Sequence, residues 1–367
     1  MEQRERIGSG EPSDASRGGF WRRRWWIGLL GLAVVVLGAL SFWLRRGPSA
    51  DEELRAIDAA HAIADEENAA TVYNRLILDD TLSPLNAQLL PVSVRATTLA
   101  RPWRSVDFPQ AAEWLEQRGQ VVEGLLRAGR KQRCWFLAID APQQSPKRFQ
   151  LATEGALLLI RSANNDWDEG RVAKGLEKLL CVLQMAKHFR AQVHSSDYHA
   201  GGAVASEGLK RLAALVVNEG IPPNWLDRFE AALPPIQNTW DQQWQLLYKV
   251  ERLYMESMGS GPFARALHVL DRRRQEKTKR DYFSLLAESR AVRVLLELRR
   301  RKDETSTWPA TLAEIENRVA PEALVDPVTG KPFVYRRTGD AFTLYSTGPN
   351  GRDEGGKAGD DHRFWPR

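Results

Sequence analysis

Between Asp51 and about Lys302, apolar residues recur every three or four positions, the spacing that lays them along one face of a helix. The pattern predicts helices over Asp51–Leu76, Phe108–Arg130, Phe149–Arg161, Asp168–Arg190, Ala203–Val217, Trp225–Leu233, Pro235–Met258 and Arg280–Arg301. In the fourth, Val172, Leu176, Leu179, Leu180, Leu183 and Met185 form the stripe. Breaks fall at Pro222-Pro223, Pro234-Pro235 and Gly261-Pro262, which suits antiparallel helical hairpins joined by short loops. After Lys302 the period changes. Thr307 to Ile315 reads as a turn into a short helix. Phe333–Arg336 and Phe342–Ser346 then alternate around Thr338-Gly339-Asp340, a β-hairpin signal. Two strands alone are marginal, so the hairpin needs a helix to pack on. Leu286, Ala287, Ala291, Val294, Leu295 and Leu298 offer one.

Ahead of this body, Trp25 to Leu44 reads WWIGLLGLAVVVLGALSFWL, twenty residues without a charge. At about 1.5 Å per residue it spans roughly 30 Å of hydrocarbon. Its Leu, Ile, Val and Phe residues favour insertion by about 3–7 kcal/mol. The run is longer than a cleavable signal and Arg45-Arg46 follows, so an uncleaved signal anchor is expected. Six Arg precede the run, which predicts an N-terminus inside. The expected fold is therefore mainly α: a single N-terminal transmembrane helix, an antiparallel helical extracytoplasmic domain, and a small C-terminal α+β module with a β-hairpin. The expected divisions are a cytoplasmic disordered tail over 1–24, the span over 25–44, the helical domain over 47–280 and the α+β module over 281–367. The expected location is a bacterial inner membrane, crossed once, with the later residues periplasmic.

The net charge of +5 changes little in this picture, because the excess sits beside residues 25–44. From Gly47 onward 44 basic residues face 43 acidic ones. A nucleic-acid partner needs a concentrated basic footprint, so that class is excluded and an envelope protein partner is expected instead. No Gly-x-Ser-x-Gly elbow, P-loop or dinucleotide fingerprint occurs, and no catalytic residue is assigned. His188, His194 and His199 lack a zinc spacing and are expected at the surface or in loops. Trp240, Trp244, Tyr248 and Tyr254 could clasp a sugar or peptide, yet aromatics at helical spacing are expected in the core. Cys134 and Cys181 could pair outside the cytoplasm; their apolar neighbours favour packed thiols.

The chain closes on LYSTGPNGRDEGGKAGDD, Leu344 to Asp361. Glycines there let the backbone fold sharply, while Ser346, Asn350, Asp353, Asp360 and Asp361 supply oxygens of the kind Ca²⁺ takes, roughly six to eight at a time. The order of a long helix, WPATLAEI, DPVTGKPFVYR and this ending resembles the C-terminal half of the major (G-type) pseudopilins of type II secretion, over residues 283–363. Similar endings occur on membrane-anchored bacterial proteins of planctomycete type. The resemblance implies a helix against a small sheet and a terminal loop that binds calcium. The function expected is that of a membrane-anchored extracytoplasmic structural or interaction protein. The alternatives are an envelope enzyme with an unreadable site, or a component of a secretion or pilus-like assembly.

Overall fold

A computed structural model describes residues 48–79, 90–219, 221–257, 263–357 and 361–366. Residues Glu53–Arg367 form one compact unit, and the described residues before them belong to a second. Helix α1 (Ala50–Ala60) opens on a capping box: Ser49 N–H donates to Glu52 (2.7 Å) and Glu52 N–H to Ser49 Oγ (3.3 Å). It ends before α2 (Ala69–Leu78), where Asn68 caps the new helix by accepting from Ala70 N–H (3.0 Å). The continuous Asp51–Leu76 helix is thus two. The same Asn68 oxygen accepts from Trp135 N–H, and its amide donates to Trp135 O, so the interruption is fixed by a distant strand-like segment.

Helices α3 (Val92–Ala100), α4 (Pro109–Glu116) and α5 (Gly119–Gly129) follow. Helix α6 (Ala141–Asp168) begins earlier than its apolar period suggests, because Pro142 lies in a first turn that has no bond to lose, and Pro146 is accommodated inside. It packs against α7 (Val172–Arg190) and α8 (Ser195–Ala214), the centre of the core, where Leu158, Leu159, Leu176, Val182, Phe189 and Leu209 are buried. A π-helical turn over Leu215–Glu219 leads to α9 (Pro223–Ala232), α10 (Trp240–Ser257) and the long α11 (Phe263–Thr305).

The predicted apolar face of α11 is buried, and so are Leu285, Val292 and Leu296. The reason is that α11 is enclosed on two sides, by α8 and by the C-terminal residues. Two short 3₁₀ turns (Leu312–Arg318, Pro321–Leu324) carry the chain to β1 (Val334–Thr338) and β2 (Ala341–Ser346), paired antiparallel from Val334–Tyr345 to Thr338–Ala341. Trp308 seals the hairpin edge-on to Phe342, with ring centres 4.7 Å apart.

The expected fold class needs correction. Among the described residues no helix is long and apolar enough to cross a membrane; the run 25–44 lies outside them. The hairpin is also a three-stranded antiparallel sheet of order β1-β2-β3, because His362–Trp365 returns as β3 and buries Phe364 beside Phe333. Four residues after a Gly-rich run carry too little periodicity to read as a strand.

Candidate functional site

A cavity of about 700 Å³ opens between the C-terminal end of α7, the middle of α8, the end of α9, the 233–239 loop, α10 and the middle of α11. It shares Arg190, Tyr282 and Leu285 with a second cavity of about 460 Å³. Lys187, Arg190 and Arg293 line the larger one, together with Gln237, Thr239, Gln243 and Ser289, and no carboxylate does. Leu233, Pro234, Leu285 and Leu286 provide apolar wall.

Arg190 is the centrepiece. Its guanidinium lies 4.0 Å from the centre of the Tyr198 ring and 5.6 Å from that of Tyr282. Among the described residues no carboxylate pairs with it. A polar relay sets the two rings. Tyr198 Oη donates to Gln243 Oε1 (2.6 Å), Gln243 Nε2 donates to Thr239 Oγ1 (2.8 Å), and Thr239 N–H donates to Tyr282 Oη (2.8 Å). The 233–239 loop is stitched to α11 as well: Ser289 Oγ and Arg293 Nη2 donate to Pro234 O, and Arg290 donates to Ile236 O.

The close approach of α7 and α8 depends on Gly201. A Cβ there would fall 2.5 Å from Arg190 N and 2.8 Å from Phe189 C, inside van der Waals contact with backbone. On the other wall, Lys187 Nζ donates to Ala231 O (3.2 Å) near the end of α9, which uses one of three ammonium protons.

The electrostatics follow from burial. Burial lowers the Lys187 pKa, and the neighbouring Arg293 charge lowers it further. Burial likewise lowers those of Arg190 and Arg293, the latter opposed by Glu230 at 3.9 Å. Burial therefore makes the charged forms less favourable here than in water, a penalty that an incoming anion would relieve. In the smaller cavity, His199 Nε2 lies 3.4 Å from Thr278 Oγ1 and Asp281 is held by Lys277 (2.6 Å), so these groups form no nucleophile–base–acid relay.

The described residues among the predicted calcium ligands each have protein hydrogen-bond partners. Ser346 Oγ donates to Asp326 (2.5 Å). Asn350 donates to Glu354 (3.0 Å) while its oxygen accepts from Arg352 N–H (2.6 Å). Asp353 accepts from Tyr345 Oη (2.7 Å), Gly355 N–H (2.8 Å) and Arg336 (2.5 Å), and the Tyr345 bond is the main reason its carboxyl titrates below the usual range. Asp361 accepts from Gly356 N–H (2.7 Å) and keeps a buried Oδ1 without a partner. Asp360 lies outside the described residues. Among those described, no three His, Cys, Asp or Glu side chains converge as a metal site. The hub of this region is Asp326, which also accepts from Val328 N–H, Thr329 N–H and Thr329 Oγ1. Its place in DPVTG marks a turn, not a hub.

The other candidates resolve simply. His188 is buried, not at the surface. Its Nδ1 faces Tyr73 Oη (3.0 Å), its Nε2 faces Lys131 O (2.9 Å), and burial pushes its pKa down to about 4. His194 and His199 are half-buried on α8 and its entry. Trp240 and Tyr254 are core, with Trp244 half-buried on Trp240 and Tyr248 half-buried on Trp244. Cys134 and Cys181 are buried free thiols. Nothing in the sequence marks Lys187 and Arg190: basic residues in a last helical turn are what the helix dipole favours anyway.

No protein-family model, curated protein or solved structure matches the chain.

Proposed function

We propose that this chain is a non-catalytic interaction protein that receives a ligand in the α7–α8–α11 cleft and works at a bacterial envelope. The observation that carries the binding role is the cleft itself. Apolar walls with a few convergent polar groups, in a volume within the roughly 300–1,000 Å³ typical of ligand sites, are the usual form of a recognition pocket. The envelope setting rests on the uncharged run 25–44 and on the pseudopilin-like motifs of 283–363.

A photo-crosslinking residue placed at Gln237 or Gln243, on the cleft wall, should capture the same species in cells from both positions. One at Asp340, in the exposed β1–β2 turn, should not. Equal capture from all three, or none from the cleft, would remove the binding role. Recovery of the intact chain from the soluble fraction would remove the envelope setting.

Calcium at the C-terminal loop is a separate proposal, supported by the partnerless Asp361 Oδ1 and the glycine-rich path around it. Millimolar Ca²⁺ should raise the melting temperature of the full chain, and Asp361→Asn should abolish the rise. An unchanged melting temperature in wild type ends that proposal.

A further inference from the structure

We infer that the cleft takes a small organic anion, a carboxylate or phosphate head on an apolar body, with the head at Lys187, Arg190 and Arg293. The inference rests on the binding role proposed above and names its ligand class.

Three observations converge. The first is composition. Three cationic side chains and no acid line the larger cavity, whereas the chain from Gly47 onward is almost charge-balanced. The imbalance is therefore local to the cleft.

The second is how little of that charge is compensated. Elsewhere on α11 several basic residues are paired with acids: Arg299 with Asp303 (2.7 Å), Arg300 with Asp227 (2.6 Å), Lys277 with Asp281. Inside the cleft, Lys187 donates to one backbone carbonyl and Arg190 faces aromatic rings. Arg293 spends two of its nitrogens on backbone carbonyls, has an acid only at the edge of ion-pair distance in Glu230 (3.9 Å), and leaves a buried Nε without a partner. A guanidinium packed against rings can offer a ligand those in-plane N–H groups that its neighbours leave over; Tyr198 engages part of Arg190's set. That is the arrangement that binds a planar carboxylate or a phosphate through two parallel bonds.

The third is rigidity and shape. The Tyr198–Gln243–Thr239–Tyr282 relay holds the rings that hold Arg190, so the donors are set before a ligand arrives. Around them Ala186, Ala205, Leu233, Leu285 and Leu286 provide apolar wall. An inorganic ion would leave that surface unused. An amphipathic anion uses both parts.

The test is titration of the full chain in detergent micelles with five probes: inorganic phosphate, acetate, octanoate, octyl phosphate and octanol. Binding is read by heat and by thermal shift. Octanoate or octyl phosphate should bind at least about tenfold tighter than octanol and than the bare ions, consistent with a charge-assisted bidentate pair plus a buried chain. Which of the two binds tighter identifies the head group. Added salt should weaken binding of the anion less than it weakens an exposed ion pair, because the site is recessed. Lys187→Gln and Arg190→Gln should each weaken anion binding about tenfold while leaving octanol binding unchanged. Arg190→Gln loses ring contacts, so if it fails to fold, Lys187→Gln with native circular dichroism carries the result. The inference is overturned if octanol binds as tightly as octanoate, if the bare ions match the octyl compounds, if no probe binds at millimolar concentration, or if folded Lys187→Gln binds anions like wild type. Cleft crosslinks that persist while the anion series fails would leave the binding role standing with a different ligand class. Loss of both removes the two together.

Discussion

Single side chains carry long-range connections in this protein to an unusual degree. Asp58, buried on α1, accepts from Trp135 Nε1 (3.0 Å), Ala138 N–H (2.6 Å) and Ile139 N–H (3.2 Å), and so ties the first helix of the unit to the segment before α6. Removing the carboxylate strands three donors away from water. We expect Asp58→Ala to cost about 3 kcal/mol of unfolding free energy and Asp58→Asn clearly less, since an amide oxygen can still serve the two donors shared by one carboxylate oxygen. Denaturant unfolding of both variants checks the order; equal, small losses would show that water replaces the acid. Asp197 plays the same kind of part, held between Arg148 (3.3 Å) and Ser145 (3.1 Å). Neither acid lines either cavity of the candidate site. Buried acids of this sort look catalytic in a list of titratable residues, but their partners show them to be structural. His188 belongs with them: its neutral ring bridges Tyr73 and the Lys131 carbonyl inside the core. Periodicity could not reveal such roles, because each depends on donors or acceptors about fifty or more residues away.

At the level of elements, the apolar stripes located most helices and misplaced several ends. Helix existence is set by a face that needs covering, whereas ends are set by caps and by distant partners, as Asn68 shows. The close crossing of α7 and α8 is the element-scale feature that builds the cleft. Gly201-Gly202 lies just before the predicted helix Ala203–Val217 and inside the observed α8, where glycine lowers helix propensity, a cost of about 1 kcal/mol relative to Ala at each position. The return is backbone contact at Phe189 and Arg190. Gly201→Ala should therefore destabilise by about 1–3 kcal/mol, although Ala is the better helix former, while Gly202→Ala, whose added Cβ has 3.9 Å to its nearest neighbour, should be neutral or stabilising. Paired thermal melts of the two variants decide this; a stabilised Gly201→Ala would mean that the crossing relaxes without cost.

In the molecule as a whole, α11 holds the parts together. Its buried stretch faces α8 on one side and the C-terminal 3₁₀ turns and sheet on the other, so the α+β ending is packed into the same compact unit as the helical body. The ending is more than a hairpin and a loop. Asp326, Asp353 and Asp361 each anchor part of the path from β2 to β3 by hydrogen bonds, so its glycine-and-acid composition reflects a structured return to the sheet. The amino-acid sequence by itself determined the mainly helical character of the described residues between Asp51 and Lys302, the β1–β2 pairing and the uncharged run at 25–44, because each is a local rule of spacing, turn chemistry or length. Tertiary structure decided which basic residues stand without acids, where two helices touch backbone to backbone, and which carboxylates are consumed by neighbours. Those are properties of pairs of residues far apart along the chain, and one-dimensional spacing holds no record of the distance between them.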